Sequence, residues 1–217
     1  MKIHPISRSE LWLAQCALVV AIMLQIISWN LSTAIAYRPQ GLIILTEIIL
    51  LVIISFSASA RHIRPNTLYR DFSIVLLGVI SLANIYSFLS VIKVLLTDGT
   101  MFSGRELITA AIAIFLTNVI VFALWYWELD SPGLSGRKWS RNTKSFQFSE
   151  QDMSDDFPDW QPRFIDYLYL SVTNSINFAP ADAKPITSQS KVLMGMQALI
   201  SVFTLALILA RSVNILG

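Results

Sequence analysis

Between Thr173 and Asp182 the chain sets hydroxyls, side-chain amides and one carboxylate close together: Thr173, Asn174, Ser175, Asn177 and Asp182. Groups of these types replace the hydration shell of an ion when they ring a pore. A second set, Gln197, Ser201 and Thr204, recurs at about one helical turn inside an apolar stretch. A stripe of that kind either lines a pore or packs helices together. The third candidate is Glu47, in the run LIILTEIILL. An acid at the centre of a membrane helix costs at least about 2.5 kcal/mol to insert and reads by default as a proton or cation site. The alternative is a neutral carboxyl hydrogen-bonded to a neighbouring helix.

Other chemistry is not encoded in recognisable form. The sequence carries no H-E-x-x-H, G-x-S-x-G, Walker A or G-x-G-x-x-G pattern. Its two histidines, His4 and His62, lie far apart, and its one cysteine, Cys16, excludes a disulfide framework and a cysteine metal cluster. Glu150, Asp152, Asp155, Asp156 and Asp159 crowd together, but without the spacing of a calcium-binding loop. The chain therefore reads as a non-enzyme without metal or cofactor.

The elements that must position these residues follow from composition. Of 217 residues, 54% are hydrophobic and only 14% charged, against roughly 25% charged in ordinary soluble domains. Mean hydropathy is +0.60. That is too little charge to cover a water-facing surface, and a net charge of +2 is too small to hold a nucleic-acid backbone. Five stretches are long enough to cross a bilayer core, which needs about 20 apolar residues each: 11–29 (extendable to 36), 41–60, 72–96, 107–127 and 192–213. Helices are expected, because each backbone amide in lipid must be satisfied within its own segment. The first stretch is too long for a signal-peptide core and is read as an uncleaved helix. The fold expected is an all-α polytopic bundle, organised as a four-helix region over 1–127, a charged cytoplasmic linker over 128–163 and a third part over 164–217.

Lys and Arg set the direction. With the N-terminus in the cytoplasm, the short loop carrying Arg61, Arg64 and Arg70 and the longer one carrying Arg137, Lys138, Arg141 and Lys144 both lie inside. Trp125, Tyr126 and Trp127 then fit an aromatic belt at the inner headgroups. The stretch after Glu128 reads as a solvated linker whose charges keep it out of the bilayer. Asn84, Ser87, Thr117 and Asn118 read as contacts between helices.

Residues 164–178, FIDYLYLSVTNSINF, are amphipathic and too short to span. Such a segment is either re-entrant or lies flat at the interface. Pro180 and Pro185 predict irregular backbone over 179–185, and Thr187 or Ser188 can cap the last helix. Short helix, polar turn and spanning helix are the parts of a pore loop. The flat arrangement, with Tyr167 and Tyr169 at headgroup level, uses the same residues.

Asp156, Phe157, Pro158, Trp160, Asp166, Tyr167, Leu168, Tyr169, Thr173, Phe178, Asp182, Thr187 and Ser188 carry a resemblance to a bacterial inner-membrane family known as a domain of unknown function. The likeness covers about the last sixty residues and is architectural before them. The same stretch resembles, more distantly, the pore helix, filter and inner helix of tetrameric potassium channels. Where their filter reads Thr-Val-Gly-Tyr-Gly-Asp, this chain reads TNSINFAPAD from Thr173 to Asp182. Both filter glycines are absent, so the usual potassium selectivity is not implied. The pore loop of potassium channels is also entered from outside, whereas the charge count puts this one inside. The resemblance implies a homo-oligomer, a tetramer by analogy, in the inner membrane, passing inorganic cations with non-standard selectivity. The alternative is a non-conducting scaffold or sensor that binds a partner through its charged loop.

Overall fold

The computed structural model describes residues 8–31, 45, 48–49, 67–97, 104–130, 144–153, 155–158, 160–177 and 183–216. Over these residues the chain is mostly helical. The elements are α1 (Arg8–Leu31), α2 (Thr67–Thr97), α3 (Gly104–Asp130), β1 (Phe146–Phe148), α4 (Ser149–Asp152), α5 (Phe164–Asn177), β2 (Ala183–Pro185) and α6 (Ser188–Leu216). Among the described residues four helices are long and apolar enough to cross a membrane, over Ser9–Ile27, Ile74–Lys93, Arg105–Asp130 and Ser188–Ala210. The chain is an integral membrane protein built on these helices. The expected span over 41–60, with Glu47, lies largely outside the described residues.

The central helix is α3, which packs against α1, α2, α5 and α6. Within its span 67% of the residues are buried, against 22–33% in the other three. Its sequence explains the position. Ala110, Ala111, Ala113 and Ala123 are all buried, and small residues let helix backbones approach closely where lipid gives no hydrophobic drive to association. The core joins Leu18 and Ile22 of α1, Leu76 and Ile80 of α2, Leu124 and Tyr126 of α3, and Leu170 of α5. A second cluster joins Phe88 and Val91 of α2 to Leu107 and Ile114 of α3. Gln25 of α1 donates from Nε2 to the Ile80 carbonyl at 3.2 Å, a polar tie between α1 and α2.

Because α3 is enclosed, the aromatic belt reading needs correction. Tyr126 and Trp127 are fully buried, and Trp125 donates from Nε1 to Ser81 Oγ at 2.9 Å. These rings serve the protein interior instead of the headgroups.

The linker reading over 128–163 is corrected for residues 144–148. Strand β1 pairs antiparallel with β2, with Phe146 opposite Pro185 and Phe148 opposite Ala183. Alternation puts Phe146 and Phe148 inward, where both are buried. Their rings sit 5.2 Å from Tyr126 and 5.3 Å from Tyr167, centre to centre. The aromatic area they bury outweighs the preference of the flanking charges for water. Asp152, Met153, Asp155, Asp156 and Phe157 stay exposed. The expectation of irregular backbone over 179–185 fails at 183–185, since a proline at the end of an edge strand gives up no ladder hydrogen bond that a partner needs.

Local signals set the ends of α5 and α6. The Arg163 N–H donates to Asp166 Oδ2 at 2.7 Å, an acid in the first turn closing back on the residue before the helix. Thr187 caps α6: its Oγ1 accepts from the Ser190 N–H at 3.2 Å.

Candidate functional site: a polar knot between α3, α5 and α6

The helix α5 turns one face inward and one outward. Thr173, Asn174 and Ser175 are buried along with Tyr167, Leu170 and Ser171. Ile165, Tyr169 and Ile176 form an exposed apolar stripe on the other side. This follows from spacing, since residues three, four and seven apart share a helix face.

The inward face meets Gln197 of α6, which is fully buried. Gln197 Nε2 donates to the Ser171 carbonyl at 3.0 Å, to Ser171 Oγ at 2.6 Å and to Ser175 Oγ at 2.7 Å. Its Oε1 accepts from the Tyr126 hydroxyl of α3 and from Asn174 Nδ2 at 2.9 Å. Asn174 Nδ2 also reaches the Met194 carbonyl at 3.0 Å. Ser171 Oγ donates to the Val119 carbonyl of α3 at 2.6 Å. One glutamine thus ties three helices. Both of its amide ends are satisfied, as a polar group in a dry interior requires.

The remaining residues singled out from the sequence separate into groups. Thr173 Oγ1 donates to the Tyr169 and Leu170 carbonyls of its own helix, both at 3.0 Å. Ser201 Oγ accepts from Asn118 Nδ2 at 3.0 Å, and Thr204 Oγ1 donates to the Ile200 carbonyl at 2.7 Å. Gln197, Ser201 and Thr204 do form one stripe on α6, but the chain itself buries it. Asn177 is exposed. Asp182 and Glu47 lie outside the described residues. Among the described residues no three His, Cys, Asp or Glu side chains converge on a metal site.

A second junction, which sequence reasoning missed, closes the end of the bundle where α3 stops. Asp130, which the sequence reading places in the solvated stretch after Glu128, is buried. Its Oδ1 accepts from the Ser145 N–H, and from the Phe146 N–H at 3.2 Å. Its Oδ2 accepts from the Tyr167 hydroxyl at 2.8 Å. The Ser145 carbonyl accepts from the Ile186 N–H at 2.8 Å and from Ser190 Oγ at 3.0 Å. Burial pushes the Tyr167 hydroxyl well above its usual pKa, and the facing Asp130 carboxylate adds to the shift, so Tyr167 stays a neutral donor. Asp166 is also raised, first by burial; its bond from the Arg163 N–H opposes the shift. An acid two residues after the run WYWE, at the end of an apolar stretch, was the only signal for this junction.

Helix contacts fix the relative levels. The ring of α5 residue Tyr167 is beside Asp130, while Ser171 is bonded to Val119, about 16 Å further along α3 at 1.5 Å per residue. Ser190 of α6 is beside Ser145, while Gln197, about 10 Å further along, meets Ser171 and Ser175. Helix α5 therefore runs from the Asp130 end toward the middle of α3 and α6. By Ala183 the chain is back beside Phe148. No protein-family model, curated protein or solved structure matches the chain.

Proposed function

We propose that the chain is the subunit of a pore-loop-type ion channel, or channel-like protein of non-standard selectivity, in the bacterial inner membrane with its N-terminus in the cytoplasm. The supporting observation is the course of α5. It descends between two spanning helices to about the level of Val119 and Gln197, and the chain is back at its starting level at β2. A bilayer core is about 30 Å thick, and the 14 residues of α5 span about 21 Å, enough to reach its middle and too short to cross it. The order α3, α5, α6 is then outer helix, pore helix and inner helix, in a bundle of five spans with a re-entrant helix before the last. The element order matches the resemblance to potassium channels with the loop entered from the opposite side, and the missing filter glycines argue for a different selectivity. On this reading the protein is a homo-oligomer, tetrameric by analogy, that passes inorganic cations. Purified protein in liposomes is expected to carry a cation flux. The reading fails if no conductance is seen under any voltage or pH.

A second reading is a non-conducting scaffold or sensor. It is favoured by a specific observation: the polar atoms of Asn174, Ser175 and Gln197 are engaged inside one chain, which leaves them unavailable to an ion. The exposed Asp152, Asp155 and Asp156 would then meet a soluble partner.

A further inference from the structure

The Asp130 junction has a geometry that packing alone does not require. One dipeptide, Ser145–Phe146, contacts two helices by hydrogen bonds, and a third through Asp130. Its two amides go to the end of α3 through Asp130, and the Ser145 carbonyl receives Ile186, just before α6, and Ser190, in its first turn. The same Asp130 carboxylate receives Tyr167 of α5 on its other oxygen. The exposed segment begins directly after β1, in α4. We infer that Asp130, Ser145 and Tyr167 form a clasp that couples the polar segment beginning at Lys144 to α5, so that whatever opens the segment also loosens the α5–α6 knot.

The physical case rests on unequal costs. With the clasp closed, two backbone amides and a buried phenol share one acceptor. Losing that acceptor leaves three donors unmade in a dry place, and each unmade buried donor is costly. They do not relax one at a time. Moving Ser145 also withdraws one of the two acceptors of Ser190 Oγ, the other being the Thr187 carbonyl. Ser190 lies one turn before Met194, whose carbonyl holds Asn174. Release at the surface is therefore transmitted along α6 and α5 to Gln197. The inference holds whether or not the protein conducts.

Amide hydrogen exchange on the full chain in nanodiscs tests this. Asp130→Ala is expected to raise exchange by about tenfold or more at 145–148, and also in α5 over 170–175 and in the first turns of α6, with α1 and α2 unchanged. Should Asp130→Ala fail to fold, Tyr167→Phe carries the test. It removes only the α5 donor and is expected to speed exchange in α5 while 145–148 stays protected. Two results overturn the inference: faster exchange confined to 145–148 in Asp130→Ala, or no change in α5 in Tyr167→Phe.

Discussion

At the scale of single residues, Gln197 is held by five side-chain hydrogen bonds. Polar residues in membrane helices average well under 1 kcal/mol per hydrogen bond, because the dissociated helices also find partners. Gln197 differs in that its removal takes a partner from several groups at once: Asn174, Ser171, Ser175 and Tyr126. Gln197→Leu is expected to destabilise by about 2–4 kcal/mol, measured by unfolding in mixed micelles. Thr204→Val, at a hydroxyl bonded only to its own helix, is expected to cost under about 1 kcal/mol. Asp166 gives a pH signature. Its carboxyl is raised above the ordinary 3.8, first by burial. A raised carboxyl binds its proton more readily in the folded state, so its stabilising contribution is present at low pH and lost as pH rises through the folded value. Asp166→Asn keeps an acceptor for the Arg163 N–H and is expected to flatten the fall in stability as pH rises above 3.8. A variant whose pH profile is identical to the parent's would show that Asp166 does not titrate in that range.

At the scale of elements, the spanning helices were legible because apolar length is a strong signal and lipid leaves the backbone few choices. Helix α5 was legible as an amphipathic, non-spanning segment, and its buried face contains the Thr173–Ser175 run that the sequence singled out. The β1–β2 pair was not. Three-residue strands carry almost no periodicity, and Phe146 and Phe148 stand among charges that suggested solvent. The assignment turned on partners distant in sequence, Tyr126 and Tyr167, that no local pattern reveals. Likewise the polar stripe of α6 was visible, but which surface it faces depends on α3 and α5. Phe146→Ala is expected to cost about 3–5 kcal/mol, the range for a large aromatic core residue. A loss under about 0.5 kcal/mol in the same unfolding assay would mark Phe146 as a loop residue after all.

At the scale of the whole molecule, the proposed function depends on where α5 lies in the bilayer. The internal contacts set α5 against the C-terminal half of α3 and the N-terminal half of α6. A flat interfacial helix would keep both of its ends at one depth. A re-entrant helix would carry its exposed stripe, Ile165, Tyr169 and Ile176, progressively deeper, by about 16 Å over that stretch if the helix ran along the membrane normal. The most direct measurement is the depth of spin labels placed singly at 165, 169 and 176 in a Cys16→Ser background reconstituted in nanodiscs, read by the ratio of oxygen to nickel accessibility. The account predicts depth increasing in that order, with the label at 176 near the bilayer centre. Equal depths at all three positions, at the headgroup level, would contradict it.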